Sequence, residues 1–179
     1  AYNLGADLVG VANIERYCNA PIMMSPQGIL PTAKSVVVCA IHHPDACIEL
    51  GGEISPQHMG SYEVQGVMND KLDLLSFKIA RFLEAEGYQT VPISASNIWR
   101  YRQYKELNAI FAPDISNIYS SVAAGLSELG WHGIALTPEY GPRNRFVSII
   151  TEAPLKPDPL YNGPKLCDMC GECIKACPM

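Results

Sequence analysis

The spacing of hydrophobic residues predicts two helices. Apolar residues recur at intervals of three and four over residues 62–86, which indicates an amphipathic helix that ends at Gly87. A second helix is predicted over residues 115–129. The apolar stripe of the first consists of Val64, Met68, Leu72, Leu75, Ile79 and Phe82, and that of the second of Ile118, Val122, Leu126 and Leu129.

Unbroken apolar runs predict strands that are buried on both faces. The clearest is residues 35–41, which is rich in β-branched side chains. Shorter strands are predicted at residues 8–12, 88–93, 134–137 and 145–151, the last two joined by a tight connection, and residues 45–61 are predicted to form a loop. Alternating helices and strands predict an α/β fold with a partly mixed sheet, with α+β as the alternative.

Composition and charge exclude several classes of protein. Hydrophobic residues make up 48% of the 179 residues, enough for a real core, and charged residues only 17%, which excludes a disordered chain. No apolar run reaches the length of a membrane span. The net charge of −5 argues against binding nucleic acid by bulk charge, although a local basic patch remains compatible with it.

The cysteines carry the strongest chemical signal. Three of the seven (Cys18, Cys39 and Cys47) are scattered, and four (Cys167, Cys170, Cys173 and Cys177) lie close together and precede Pro178. An odd, clustered set indicates metal binding in a reducing cytoplasm rather than a disulfide framework. The spacing C-x2-C-x2-C-x3-C-P is that of bacterial ferredoxins, whereas zinc ribbons separate two CxxC pairs by about 15–20 residues. We therefore predict a 4Fe-4S cluster.

The cysteine run is also incomplete as a two-cluster module. In such modules the fourth cysteine ligates the other cluster. Cys167, Cys170 and Cys173 would therefore ligate one cluster, and Cys177 would ligate a second. A scattered cysteine could supply a missing ligand, but a buried structural role is the commoner use of such residues. We expect the natural protein to continue past Met179 with a second cysteine run, and the chain to be cut at both ends.

Three motifs in series resemble the superfamily of epoxyqueuosine reductases and reductive dehalogenases. They are ELGWHG at residues 128–133, TPEYGPR at residues 137–143 and the cysteine run. The resemblance implies a nitroreductase-like, cobalamin-binding domain over residues 1–155. It implies the first half of a ferredoxin-type module over residues 156–179, with two 4Fe-4S clusters in the intact protein. Electrons would pass from the clusters to cobalamin and on to a substrate.

The resemblance also implies site residues. Asp114 matches the proton-donating aspartate of epoxyqueuosine reductases; the alternative is that Asp114 caps the helix that follows it. His132 and Gly133 would line the cofactor cavity, as would the turn that contains Tyr140, Gly141 and Arg143. A glycine in such a turn allows the backbone to approach a ligand closely. Arg143 and Arg145 are predicted to be exposed on a neighbouring strand, where they could meet anionic groups.

The substrate is left open by the sequence. Gly133 is followed by Ile134-Ala135, where epoxyqueuosine reductases usually have Lys-Asn, and reductive dehalogenases use a tyrosine as proton donor. Tyrosines available for that role are Tyr101, Tyr104 and Tyr119. The expected partners are a low-potential electron donor of ferredoxin or flavodoxin type and tRNA. The alternatives to an epoxyqueuosine reductase-like enzyme are a reductive dehalogenase and a corrinoid-free electron-transfer protein.

Two further segments have a functional and an ordinary interpretation. Residues 99–105 interleave aromatic and basic side chains, as would suit a tRNA loop or the anionic groups of a corrinoid, but also a solvated amphipathic segment. His42 and His43 follow a predicted strand, where α/β sheets place ligands. One of them could be a lower corrinoid ligand, or both could simply end the strand.

Overall fold

A four-stranded antiparallel sheet organises the chain. The computed structural model describes residues 1–49, 59–97, 99–104 and 107–177. The sheet has the order β1-β2-β8-β3 and consists of β1 (Leu8–Asn13), β2 (Ser35–His42), β3 (Thr90–Pro92) and β8 (Asn144–Thr151). Every pair in it is antiparallel. The predicted mixture of helices and strands is confirmed, but the prediction of a partly mixed sheet is wrong.

The other elements surround this sheet. Two hairpins pair β4 (Trp99–Tyr104) with β5 (Leu107–Pro113) and β6 (Glu128–Leu129) with β7 (Ala135–Leu136). The α-helices of the described residues are α1 (Pro26–Ile29), α2 (Asp45–Glu49), α3 (Met59–Ala85), α4 (Asn117–Ala123) and α5 (Glu172–Lys175). Short 3-10 helices cover Tyr2–Leu4, Ile14–Tyr17 and Ile22–Met24. Among the helices described, none combines the length and the apolar character needed to cross a membrane.

Strand β2 is buried on both faces because helices cover both sides of the sheet. Val36, Val38 and Ala40 belong to one hydrophobic cluster, which includes residues next to α4. Val37, Cys39 and Ile41 belong to the other, which α3 completes. The unbroken apolar run at residues 35–41 is therefore confirmed as a central strand between two layers of helix.

Helix α3 packs along the sheet as its apolar spacing predicts, except near its end. Met68, Leu72 and Leu75 are buried in the core. Phe82 is 63% exposed, and Leu83 is the buried residue of that turn. Gly87 ends the helix at φ +92°, and the Tyr88 N–H donates to the Leu83 carbonyl at 3.0 Å, which confirms the predicted stop.

The second helix is half as long as predicted, because two local features end it. Its N-cap is Ser116, whose hydroxyl accepts from the Tyr119 N–H at 3.3 Å. Gly125 follows its end at φ +76°, and a Cβ there would lie 2.0 Å from the Pro159 carbonyl oxygen. The chain then forms strand β6, so the predicted helical stretch beyond Ala123 is wrong.

Two predicted connections also differ from the structure. Residues 45–49 of the predicted loop form helix α2, and residues 50–58 of that loop lie outside the described residues. The predicted strands at 134–137 and 145–151 are both present, but they belong to different sheets. β7 pairs with β6, whereas β8 lies between β2 and β3.

Leu72→Ala tests the packing of α3. Leu72 is fully buried, so its truncation should lower the free energy of unfolding by about 2–5 kcal/mol. Phe82→Ala, on the same helix but at a largely exposed position, should lower it by less than about 1 kcal/mol. Urea denaturation of the two variants measures both values. An equal loss of stability in the two would contradict this packing of the helix.

Candidate functional site

One end of the sheet gathers several of the predicted site residues. In the β2–β8 pairing His42 lies opposite Asn144, so the end of β2 and the start of β8 meet there. The His42 N–H donates to the Asp7 carboxylate at 2.8 Å, and the His43 N–H donates to the Arg143 carbonyl at 2.9 Å. The turn at residues 137–143 is thereby held against the two histidines.

The outer part of this sheet end is a network around Arg143. Its Nη1 lies 2.5 Å from Asp45 Oδ1 and 3.3 Å from Glu49 Oε1. The hydrogen bond from Arg143 to Asp45 lowers the pKa of the Asp45 carboxyl. The His42 and Tyr140 rings stack with centroids 4.3 Å apart. Arg143 thus holds helix α2 against the turn, and its predicted contact with a cofactor stays a prediction.

The inner part of the sheet end is centred on Arg145. Its Nε donates to Asn69 Oδ1 at 2.7 Å and its Nη2 to the Ala95 carbonyl at 3.3 Å. The side chain is half-buried, and burial lowers the pKa of its guanidinium. The prediction that Arg145 is exposed is therefore wrong, because Asn69 on α3 and the segment after β3 draw the guanidinium inward.

His43 lies beside this buried guanidinium. Its Nδ1 is buried and has no hydrogen-bond partner. Burial lowers the pKa of the imidazole, and the positive charge of Arg145 and then the neighbouring His42 lower it further. An imidazole nitrogen without a hydrogen-bond partner can accept a proton or bind a metal, and Nδ1 of His43 is such a nitrogen.

Asp114 lies between strand β5 and helix α4. Because Ser116 caps α4, the interpretation of Asp114 as the N-cap is wrong. The next residue, Ile115, is fixed through its carbonyl, which accepts from the Asn97 side chain. Asn97 belongs to the same connection as Ala95, the residue that binds Arg145. Ile115, which follows Asp114, and Arg145 are therefore both bonded to one short segment, residues 95–97.

Within the segment 128–133, residues 130–133 form a tight turn that contacts the cysteine run. The Gly133 N–H donates to the Gly130 carbonyl at 2.9 Å, and His132 Nδ1 accepts from the Ile134 N–H at 3.0 Å. The Trp131 N–H, at the second position of this turn, donates to Cys167 Sγ at 3.3 Å. His132 is thus partly committed to the turn, and its predicted cofactor contact would have to use Nε2.

Two turn glycines fit the close approach of a ligand. Gly133 and Gly141 have φ of +80° and +56°, and a Cβ built on either would have no atom within 4 Å. Open space beside each of these glycines and an unpartnered imidazole nitrogen at His43 are features that the ring and the metal of a corrinoid would use. The residues present therefore fit that group.

The cysteine run follows an anchored backbone. The Leu166 N–H donates to Glu128 Oε2 at 2.7 Å. Met169 at φ +60° and Gly171 at φ +78° reverse the chain between cysteines. All four cysteines of the run are free. Four thiols at ferredoxin spacing are a donor set that fits an iron–sulfur cluster.

The side chains of this cysteine run do not converge on one metal position in the structure. Within the described residues, no three His, Cys, Asp or Glu side chains lie close enough to share a metal ion. Cys39 is excluded as an additional ligand because it lies inside the sheet, where burial raises the pKa of its thiol to about 12. Pro178 lies outside the described residues.

Trp99 and Tyr101 form an exposed aromatic surface where β4 pairs with β5. Trp99 and Tyr101 are 54% and 76% exposed, and each ring lies next to that of Phe111, with centroids 5.6 Å and 5.3 Å apart. The antiparallel pairing of β4 and β5 brings these rings together. Lys105 lies outside the described residues.

Sequence reasoning missed several residues that organise the site. Asp45 was assigned to a loop, and Asn69 and Glu128 were given no role. Their partners lie 98, 76 and 38 residues away in sequence, so no local pattern signals these pairs. Only the four-residue spacing of Asp45 and Glu49, one helical turn apart, could have indicated a shared basic partner.

The chain is similar in sequence to reductive dehalogenases and to an epoxyqueuosine reductase. The chain is 29% identical over 147 residues to a tetrachloroethene reductive dehalogenase of Desulfitobacterium hafniense, covering 81% of this chain and 23% of the relative. It is 31% identical over 186 residues to the tetrachloroethene reductive dehalogenase of Sulfurospirillum multivorans, covering 97% and 37%. Epoxyqueuosine reductase of Bacillus subtilis is 23% identical over 163 residues, covering 87% and 37%. No protein-family model matches the chain.

Solved structures show the same fold. An epoxyqueuosine reductase bound to a tRNA stem loop matches with TM-score 0.62 and 20% identity, over 99% of this chain and 49% of that one. Bacillus subtilis epoxyqueuosine reductase, with its aspartate-bearing catalytic loop swung out of the active site, matches with TM-score 0.61 and 20% identity, over 99% and 49%. A reductive dehalogenase linked to B12-dependent dehalogenation matches with TM-score 0.61 and 22% identity, over 90% and 21%.

The comparisons confirm the predicted resemblance to this superfamily. The chain spans between 23% and 37% of the length of the three curated relatives described above.

His43→Asn tests the burial of the imidazole. Because the pKa of His43 is lowered in the folded chain, the unfolded chain takes up a proton on acidification through the ordinary pKa of about 6.5 while the folded chain does not. Stability is therefore lost as the pH falls. The variant should lose less stability than the wild type between about pH 7.5 and pH 5.5. Denaturation midpoints at the two pH values measure this difference, and parallel curves would contradict it.

Proposed function

We propose that this chain is the corrinoid-binding part, and the start of the iron–sulfur module, of an oxidoreductase that reduces its substrate with low-potential electrons. The observation that carries the proposal is the hydrogen bond from the Trp131 N–H to Cys167 Sγ at 3.3 Å. It joins a ferredoxin-type cysteine run to a domain with the fold of epoxyqueuosine reductases and reductive dehalogenases. The cysteine run is thereby adjacent to the turn that contains Gly133, one of the residues proposed to line the cofactor cavity.

The proposed cluster ligands are Cys167, Cys170 and Cys173, with Cys177 serving a second cluster. Such clusters accept single electrons at low potential from a donor of ferredoxin or flavodoxin type. The chain contributes the thiolates, the reversals at Met169 and Gly171, and an N–H donor to one sulfur. Donors to sulfur help to set the potential at which a cluster is reduced.

The proposed cofactor surface combines Gly133, Gly141 and Tyr140 with His43. When bound, a corrinoid supplies a strongly reducing cobalt centre. The chain's own residues would admit the ring against the two glycines and offer the His43 imidazole at the inner end of the sheet. Arg143 would contribute indirectly, because it holds helix α2 against the turn that contains Tyr140.

Asp114 is the proposed proton donor. Ser116 takes over the capping of α4, so the Asp114 carboxyl does not serve as the cap. A carboxyl group next to a cofactor can hold a proton near neutral pH when its surroundings disfavour its charge. The Bacillus subtilis epoxyqueuosine reductase also has an aspartate on its catalytic loop, which supports this role.

The relatives suggest two substrate classes. The Sulfurospirillum multivorans protein is a tetrachloroethene reductive dehalogenase and is 31% identical over 97% of this chain, which favours a halogenated organic substrate. The epoxyqueuosine reductase solved with a tRNA stem loop favours a modified tRNA. The exposed rings of Trp99, Tyr101 and Phe111 suit stacking with a nucleobase or with an unsaturated organic molecule.

Anaerobic reconstitution of the full-length protein with iron, sulfide and cobalamin tests the cofactor assignment. The absorption spectrum should show the broad 4Fe-4S shoulder together with corrinoid bands. Cys170→Ser should lower the iron content by about one cluster relative to Cys18→Ser, the matched change at an exposed cysteine outside the run. A 4Fe-4S spectrum with no corrinoid bound would instead favour a corrinoid-free electron-transfer protein.

Asp114→Asn tests the proton donor. If Asp114 supplies the proton, turnover should fall by at least about 100-fold while iron and corrinoid contents stay at the wild-type level. Glu84→Gln, at an exposed position of α3, is the matched control and should retain turnover. Assays with tetrachloroethene and with an epoxyqueuosine-containing stem loop decide between the two substrate classes. Full turnover of Asp114→Asn with both substrates would exclude Asp114 as the donor.

A further inference from the structure

The turn at residues 130–133 contacts the cysteine run through its main chain. The Trp131 N–H donates to Cys167 Sγ at 3.3 Å, while the indole ring of Trp131 is 61% exposed. Within the turn, Gly130 accepts from the Gly133 N–H, so Trp131 occupies the second of the four positions. The contact with sulfur therefore depends on the backbone conformation of the turn and not on the nature of the side chain at position 131.

A second hydrogen bond fixes the cysteine against this donor. Glu128, two residues before the turn, accepts the Leu166 N–H at 2.7 Å, and Leu166 directly precedes Cys167. Glu128 is itself fixed by the pairing of β6 with β7, in which it lies opposite Leu136. The short hairpin thus holds both the sulfur of Cys167 and the backbone before it.

We propose that the Trp131 N–H raises the reduction potential of the cluster bound at Cys167, and that the Glu128 carboxylate positions Cys167 against this donor. This inference rests on the proposed function, because it assumes that Cys167 binds a 4Fe-4S cluster. Reduction adds negative charge to the cluster, part of which resides on the cysteine sulfurs. An N–H donor stabilises that charge, so the reduced form gains more than the oxidised form. Both groups are positioning residues that act through Cys167.

Trp131→Pro removes the donor, and its Cδ, which replaces the N–H hydrogen, also forces Cys167 Sγ away from the turn. Proline has no N–H, and it is favoured at the second position of type I and II turns. The preceding residue, Gly130, tolerates the restriction that a following proline imposes. Trp131→Phe is the matched control, since it alters the exposed ring but keeps the N–H. The readout is the reduction potential of the reconstituted full-length protein, followed by electron paramagnetic resonance during a redox titration.

We expect a lower reduction potential in Trp131→Pro and a wild-type potential in Trp131→Phe. An unchanged potential at full iron content would overturn the proposal. So would an equal loss of iron from both variants, which would assign the effect to the indole ring.

Glu128 provides an independent pair of variants. Glu128→Gln and Glu128→Ala both remove the negative charge, but glutamine keeps an oxygen that can accept the Leu166 N–H. We expect the alanine variant to have the lower potential or the lower iron content of the two. Equal behaviour of the pair would overturn the role of Glu128. A wild-type protein that takes up no 4Fe-4S cluster would refute the proposed function itself.

Discussion

The pairing of β2 with β8 is the constraint on which the rest of the structure depends. Eight residue pairs run from Ser35 opposite Thr151 to His42 opposite Asn144. Since both strands are buried on both faces, a shift of one residue would exchange the two hydrophobic clusters and place every side chain in the wrong layer. The same register brings the two histidines to the start of β8, so the packing of the core also determines the composition of the site.

The fold was most predictable where the spacing of hydrophobic residues follows from which side chains are buried. The run at residues 35–41 and the stripe of α3 follow from hydrophobic spacing, and Gly87 marks the end of the helix. The second helix was overestimated because its apolar spacing continues into strand β6. Gly125 ends it, at a point where the chain passes the Pro159 carbonyl closely. That contact joins residues 34 positions apart, so no local pattern could indicate it.

The candidate site was predictable in its residue types but not in its connections. The cysteine run, the two turns and Asp114 were found from motifs and resemblance. The actual partners of Arg143 and Arg145 depend on helices α2 and α3, which reach the sheet end only in the folded chain. Arg145 is predicted to be exposed, but its contacts with Asn69 and the Ala95 carbonyl leave it half-buried. Burial also distinguishes His43 from His42, which the sequence leaves equivalent.

The stretch before the cysteines protects an edge of the sheet. Strand β1 is the outer strand beside β2, and Asp158 bonds to its free side: the Asp158 N–H donates to the Val11 carbonyl at 2.9 Å and its carboxylate accepts the Val11 N–H at 2.8 Å. Arg16 fastens the same stretch by donating to the Asp158 carbonyl at 2.7 Å. A protein cut just before Lys156 would therefore expose unpaired main-chain groups to pairing with other molecules. Dissection of the chain at this point would yield an aggregation-prone piece rather than an isolated cofactor domain.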